Sequence, residues 1–375
     1  INDSILVVLR ERVNYNSPCP IPLASGSDSL VLRCSDISYL PGPNPNADST
    51  YTALKISEDG EVVDSTSMAG STSNTVVYVS ENSIYITNQE SMSDSDIMTG
   101  FLQEEGGELF SSEEMDRINE ILGYDISDRS RMIELEEVFR QHTEGMSQEE
   151  RREWKKEFEN EIGNYSSDNK REFTSTAITE IGIEDMEIGE TGTVAGFVND
   201  QFSMDEKAGN LRIATTVGEQ SWRVNGETAN DMYILDENLE ERGSVLDMGL
   251  NERIYSARFI DDKAYIVTFR RIDPFHVIDL SDPENPELKG ELKLPGFSSY
   301  LHQLDEDRIL GIGEEDGKVK AVIFNVEDDN PTIEDSYIFD DYNSEINQNH
   351  HAFMLDKKHE VFFLPGDEGG YIYSY

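Results

Sequence analysis

The feature that most constrains this chain is a repeat. Met232–Asp236 leads through an acidic turn to Gly243–Leu246, then to Ile254–Phe259 and Lys263–Phe269. His276–Leu280 leads through Ser281–Pro286 to Leu288–Leu294, Tyr300–Leu304 and Arg308–Ile312. Val322–Val326 leads through Glu327–Pro331 to Ile333–Phe339, His351–Leu355 and Val361–Leu364. Each unit holds four short runs rich in Val, Ile, Tyr, Phe and Thr over about 43–50 residues. Thr52–Gln89 has the same shape. Regular short strands suit a sandwich, a barrel or a propeller, and a four-strand unit at this spacing selects the propeller. The expected fold is therefore all-β, a β-propeller of four-stranded blades. The sequence opens in the strand-like run Ile5–Leu9, and Tyr371–Tyr375 reads as the first strand of a blade that is cut off. We therefore expect an incomplete fragment of the full propeller.

Between about 92 and 166 the period changes from two to that of a helix. Ser111-Ser-Glu-Glu114 is a capping box ahead of Met115, Ile118, Ile121 and Leu122, with Gly123 as the stop. Ser127 opens a second helix with Met132, Leu135, Phe139 and His142 on one stripe. Ser147-Gln-Glu-Glu150 opens a third, carrying Trp154, Phe158 and Ile162, with Gly163 as the expected stop. The expected organisation is 1–91 as the first propeller strands, 92–166 as a small α-helical insertion, and 167–375 as further blades, the last incomplete. The insertion reads as a cap over a blade rim or as a docking surface.

Charge limits the partners. With 77 Asp and Glu against 30 Lys and Arg, the formal net charge is −47. No basic excess exists to neutralise phosphates, which excludes a nucleic-acid surface of the usual kind. Such a chain repels itself in dilute buffer, and molar salt screens that repulsion. The acids are spread along the sequence rather than blocked, and lysine is the minority base. This pattern suits a protein of a halophile; an acidic ion-binding or partner-binding protein is the alternative. No run of residues is long and apolar enough to be a transmembrane helix, so no direct membrane insertion is expected.

Cys19 and Cys34 flank a stretch rich in Pro and Ser. Their spacing in a loop-rich region suggests a disulfide, with two buried thiols as the alternative. A disulfide implies an extracellular or cell-surface location.

A further set of residues carries a family resemblance. It comprises Gln201–Asp205, Leu211–Thr216, Arg253–Ser256 with Arg258 and Phe259, and Ala264–Arg270. It continues through Asp273-Pro274, Val277–Pro283, Pro295–Ser298, Tyr300–His302 and His350–Phe353. Together they resemble the secreted prokaryotic proteins, haloarchaeal ones included, with a C-terminal β-propeller domain distantly related to WD40 repeats. The resemblance is dense from about 201 to 364 and recognisable from Ser49 to Thr87. It implies a propeller on an exported or surface protein and assigns no catalytic activity.

Motifs for chemistry are sparse. Gly311-Ile-Gly313 is followed by a strand rather than a helix, so it is a turn and not a phosphate loop. His350 and His351, as neighbours on a strand, would face opposite ways and could not share a metal. His302 and His350 are expected near the propeller mouth or tying blades together. Arg270 and Asp273 lie between two blade strands, where they bind an anionic ligand or pair to fix the turn. Asp279-Leu-Ser-Asp282-Pro283 is a turn signature first and a calcium loop second, so no cofactor is expected. The tentative ligand-binding set is therefore Arg270, Asp273, His302 and His350. The leading expectation is a non-enzymatic binding or scaffold module that contacts a surface protein or glycan. The rival is a hydrolase or lyase with its site at the mouth.

Overall fold

The structure is a computed structural model that describes residues 4–14, 16, 18–19, 21–23, 31–39, 47–73, 75–218, 227–269, 273–347, 349–367 and 369–375. It forms two compact units. The first takes Ile1–Gln89, Thr176–Thr216 and Ala229–Tyr375; the second takes Glu90–Ser175 and Val217–Thr228.

Among the described residues, the first unit is built on six sheets of three or four strands and one two-stranded pairing. In sheet 1, Ser4–Arg12, Ser49–Ser57 and Val62–Gly70 pair antiparallel, and Ile37–Ser38 adds in parallel to the third. Sheet 2 holds Thr75–Val79, Ser83–Ser91, Thr174–Gly182 and Ile188–Ala195. Sheet 3 holds Met204–Lys207, Asn210–Val217, Ala229–Leu235 and Glu241–Met248. Sheet 4 holds Arg253–Ile260, Lys263–Phe269, Asp273–Asp279 and Glu287–Leu294. Sheet 5 holds Phe297–Gln303, Arg308–Glu315, Lys318–Asn325 and Thr332–Ile338. Sheet 6 holds Met354–Asp356, Val361–Pro365 and Gly370–Ser374. Before sheet 1 is complete, Ile21–Pro22 pairs with Val31–Leu32, and Cys19 and Cys34 are joined as a disulfide with Cα atoms 5.6 Å apart.

Why these residues form blades is visible in their two-faced burial. Alternate side chains of one strand leave on opposite faces. Ile213 packs with Tyr85 and Ile178 of sheet 2, whereas its neighbour Ala214 packs with Ile266 and Ile278 of sheet 4. Tyr265 and Val267 then face Ile309 and Phe324 of sheet 5, and Leu310 and Ile312 face Phe362 and Leu364 of sheet 6. Each middle strand thus needs apolar side chains on both faces, and Asn210–Val217 is buried at every position. The fourth strand of sheet 5, Thr332–Ile338, is exposed at every position. The first strands of sheets 2, 4 and 5 line a common cavity, the fourth strand of sheet 5 faces outward, and successive sheets share cores. This is the blade arrangement that the repeat predicts.

The repeat has the right length and a shifted phase. A unit read from Met232 covers the last two strands of sheet 3 and the first two of sheet 4. Within-sheet and between-sheet turns are equally short, so the period alone does not show where a blade begins. Tyr371 likewise sits in the third strand of sheet 6, paired with Leu364, and does not start a new blade.

Buried polar groups link sheets 3 and 4. Thr216 Oγ1 donates to Asn230 Oδ1 (2.7 Å) and accepts from the Ile254 amide (3.1 Å). Thr268 Oγ1 donates to Glu252 Oε2 (2.6 Å) and lies 3.0 Å from His276 Nε2. With its single proton on Glu252, the hydroxyl accepts from His276, which is therefore protonated on Nε2.

Among the described residues, the second unit carries four α-helices: α1 Asp94–Glu104, α2 Ser112–Leu122, α3 Asp128–Thr143 and α4 Gln148–Asp168. Ser111, Ser127 and Ser147 cap α2, α3 and α4 as expected. Helix α1 went unread in the sequence; its box pairs Ser93 with the shorter Asp96. Gly163 does not stop α4. The helix runs on for another turn because Tyr165 and Ser166 are buried, and Asn169 closes it by donating to the Tyr165 carbonyl. The core is Phe101, Leu102, Ile118, Ile121, Leu135 and Ile162, ringed by Phe110, Phe139, Trp154 and Phe158.

Candidate functional site

The first unit holds a cavity of about 460 Å³ where first strands and turns of sheets 2, 4 and 5 meet the turns leading into sheets 3 and 6. Its wall starts from a local device. Asp200 caps the short turn Gln201–Ser203, with Oδ1 accepting from the Phe202 amide (2.8 Å) and Oδ2 from Asn199 Nδ2 (2.9 Å). That turn aims Gln201 and Phe202 at the cavity. Burial pushes the Asp200 carboxyl above the usual carboxylate range even though these bonds favour its charged form.

Phe202 organises the surrounding rings. It meets Tyr300 at 6.0 Å and His350 at 5.0 Å, both edge to face. The Arg258 guanidinium sits 5.2 Å from the Phe202 ring centre. Gln201 Nε2 lies 3.4 Å from His350 Nε2; an amide nitrogen only donates, so this imidazole nitrogen accepts. Burial, with the charges of His351 and Arg258, holds His350 below the ordinary histidine value, against the pull of Asp200. Tyr300 Oη is 2.9 Å from His302 Nδ1, and burial, aided by Arg258 and Lys357, pushes His302 down to about 4. Both histidines are therefore neutral at neutral pH. Ser299 Oγ donates to Asn347 Oδ1 (3.1 Å), fixing another part of the wall. A second, more open cavity of about 640 Å³ shares Tyr300 and continues past His302, Phe353 and Lys357.

Of the four residues expected to bind a ligand, His302 and His350 come together around Tyr300 and Phe202. Arg270 lies outside the described residues. Asp273 opens the third strand of sheet 4 opposite Leu294, and its side chain lies outside the described residues. His350 and His351 are not on a strand. They occupy the turn His350–Ala352, and their rings lie 4.0 Å apart, because the Asn349 side chain accepts from the His351 amide and winds the backbone. Among the described residues, no group of three or more His, Cys, Asp or Glu side chains is placed to hold a metal ion. Asp200, Phe202, Arg258 and Tyr300 were not singled out from the sequence as site residues. The one local signal was Asp200 two residues before Phe202, the spacing of an Asx turn.

Two archaeal relatives cover most of the chain. An uncharacterized protein of Archaeoglobus fulgidus is 41% identical over 374 residues, which is 99% of this chain and 59% of the relative. Uncharacterized protein MJ1554 of Methanocaldococcus jannaschii is 35% identical over 347 residues, 90% of this chain and 55% of the relative. The chain thus spans somewhat more than half the length of these curated relatives. The family model described as beta propeller domain matches residues 8–374. With its sheets paired as blades and that match running over nearly its whole length, the chain belongs to the beta propeller domain family.

Proposed function

We propose that this chain is the binding scaffold of an exported or cell-surface protein of a halophile, related to the secreted propellers it resembles. The observation that carries the reading is the cavity walled by Asp200, Phe202, Tyr300 and His350. A concave site of some hundreds of cubic ångströms, walled by rings and a few fixed polar groups, suits ligand binding. Asp200, His302 and Ser299 are tied to neighbours in the wall, which favours holding a ligand over turning one over. The Cys19–Cys34 bond supports an oxidising location. The net charge of −47 supports a salt-rich solvent.

Labelling intact source cells with a membrane-impermeant amine reagent tests the location. Reagent on Lys357 and Lys358 is the expected result, and protection until lysis would overturn the surface reading. Dialysis against low salt tests the habitat. Loss of the β circular dichroism is expected, whereas a fold indifferent to salt would remove the halophile from the proposal.

A further inference from the structure

Resting on that binding reading, we infer that the cavity walled by Phe202 and Tyr300 binds an uncharged saccharide, with one hexose ring seated there and the next against His302 and Phe353 of the adjoining cavity. The argument begins with charge. The lining of the first cavity holds one carboxylate, Asp200, and neither lysine nor arginine, in a chain of formal net charge −47. An anion finds no counter-ion in that wall and meets the repulsion of the whole chain. A cation gains little. Asp200 already accepts from the Phe202 amide and Asn199 Nδ2. Arg258, which is not part of the lining, stands 5.2 Å from the Phe202 ring, and at His350 its charge acts against that of Asp200. The wall therefore offers little net field and suits a ligand without charge.

The neutral groups say what kind of ligand that is. Gln201 Nε2 donates to His350 and leaves its own Oε1 to accept. Ser299 Oγ donates to Asn347 Oδ1, which leaves the hydroxyl oxygen to accept and Asn347 Nδ2 to donate. A sugar hydroxyl both donates and accepts, so a hydroxylated ring answers this mixed set, whereas an apolar ligand leaves it unpaired. Phe202 and Tyr300, edge to face at 6.0 Å, supply ring surface for the C–H face of a pyranose. A cavity of about 460 Å³ takes one hexose with a few waters. The second cavity, about 640 Å³, repeats this character. Tyr300 stands in its wall as well, and Phe353 lies 5.6 Å from Tyr300 and 4.6 Å from His302. Its charged lining residues are one of each sign, Asp356 and Lys357. Two neighbouring cavities of like chemistry, with one ring common to both, suit a ligand made of like units.

The test is calorimetric titration of the whole chain, in the salt that keeps it folded. The probes are glucose and galactose, the uronic acid and the amino sugar of each, and the disaccharides maltose, cellobiose and lactose. At least one neutral hexose should bind about tenfold more tightly than its uronic acid and its amino sugar, and a disaccharide about tenfold more tightly than either hexose. Phe353→Ala should remove the gain of the disaccharide and leave the hexose unchanged. Tighter binding of a uronic acid or an amino sugar would overturn the uncharged ligand. A disaccharide no tighter than a hexose would overturn the second ring, and no binding of any probe would overturn the assignment. The comparison among ligands on the unaltered chain needs no variant to fold. These failures leave surface labelling of Lys357 and Lys358 untouched, so they are distinct from failure of the location. Release of glucose from a disaccharide during titration would leave the saccharide standing and overturn the non-catalytic reading instead.

Discussion

The helical unit and the sheet unit satisfy the same physical demands by opposite means. In the helices, backbone groups pair within four residues and the caps act at a distance of three, as when Glu150 answers Ser147. Their aromatic core includes contacts close in sequence: Trp154 meets Phe158 at 5.3 Å, and His142 meets Trp154 at 4.9 Å. In the sheets, each strand is buried by residues a whole sheet away, as when Phe275 stacks on Phe324 at 4.1 Å. Polar groups there are satisfied across sheets, as Ser256 Oγ is by the Ser298 carbonyl (2.7 Å). The difference teaches that one unit is specified mainly by local signals and the other by long-range packing.

The comparison breaks most sharply through its cores. Phe101→Ala and Phe324→Ala each remove a fully buried ring and should each cost about 3–5 kcal/mol. In urea, Phe101→Ala should shift the helical circular dichroism transition and Phe324→Ala the β transition. Equal movement of both signals in both variants would show the two units to be one cooperative body. Next in size is the bond between Cys19 and Cys34, whose sequence separation is 15; reducing it should lower the β transition by about 3 kcal/mol and leave the helical signal in place.

A smaller effect tests the buried polar link. Thr268→Val takes the hydroxyl from between Glu252 and His276 and should cost about 1–3 kcal/mol, read as a lower urea midpoint. His276 adds a pH dependence of known sign. Burial lowers its pKa from 6.5 to about 4, so between these values the unfolded chain takes up a proton that the folded chain refuses. Its contribution is present above 6.5 and is lost as pH falls toward 4. His276→Gln should flatten stability against pH in that window, and an unchanged slope would assign the dependence to other groups. The smallest expected change is Ser147→Ala, about 1 kcal/mol from the lost α4 cap, visible only in the helical transition.

Legibility followed the same division. Ser111, Ser127 and Ser147 announced α2, α3 and α4 because a cap and its helix are neighbours in the chain. Gly163 misled because its small side chain permits a stop without requiring one, and the burial of Tyr165 carried α4 onward. His302 and His350 were expected near the mouth or tying blades together; His350 lines the first cavity and His302 the second, more open one. Arg258 and Phe202 were visible only as parts of a family pattern. Nothing local to Arg258 says that its guanidinium rests on a ring from the turn before sheet 3.

By itself, then, the sequence determined the period of the strands, the helix starts and the cysteine pair, since each depends on residues within one turn or one short loop. The tertiary structure alone decided the phase of the blades, which faces are buried twice, and the company around Arg258. Those outcomes depend on strands distant in sequence meeting face to face, and a strand's own alternation records that it has two faces without recording what each will touch.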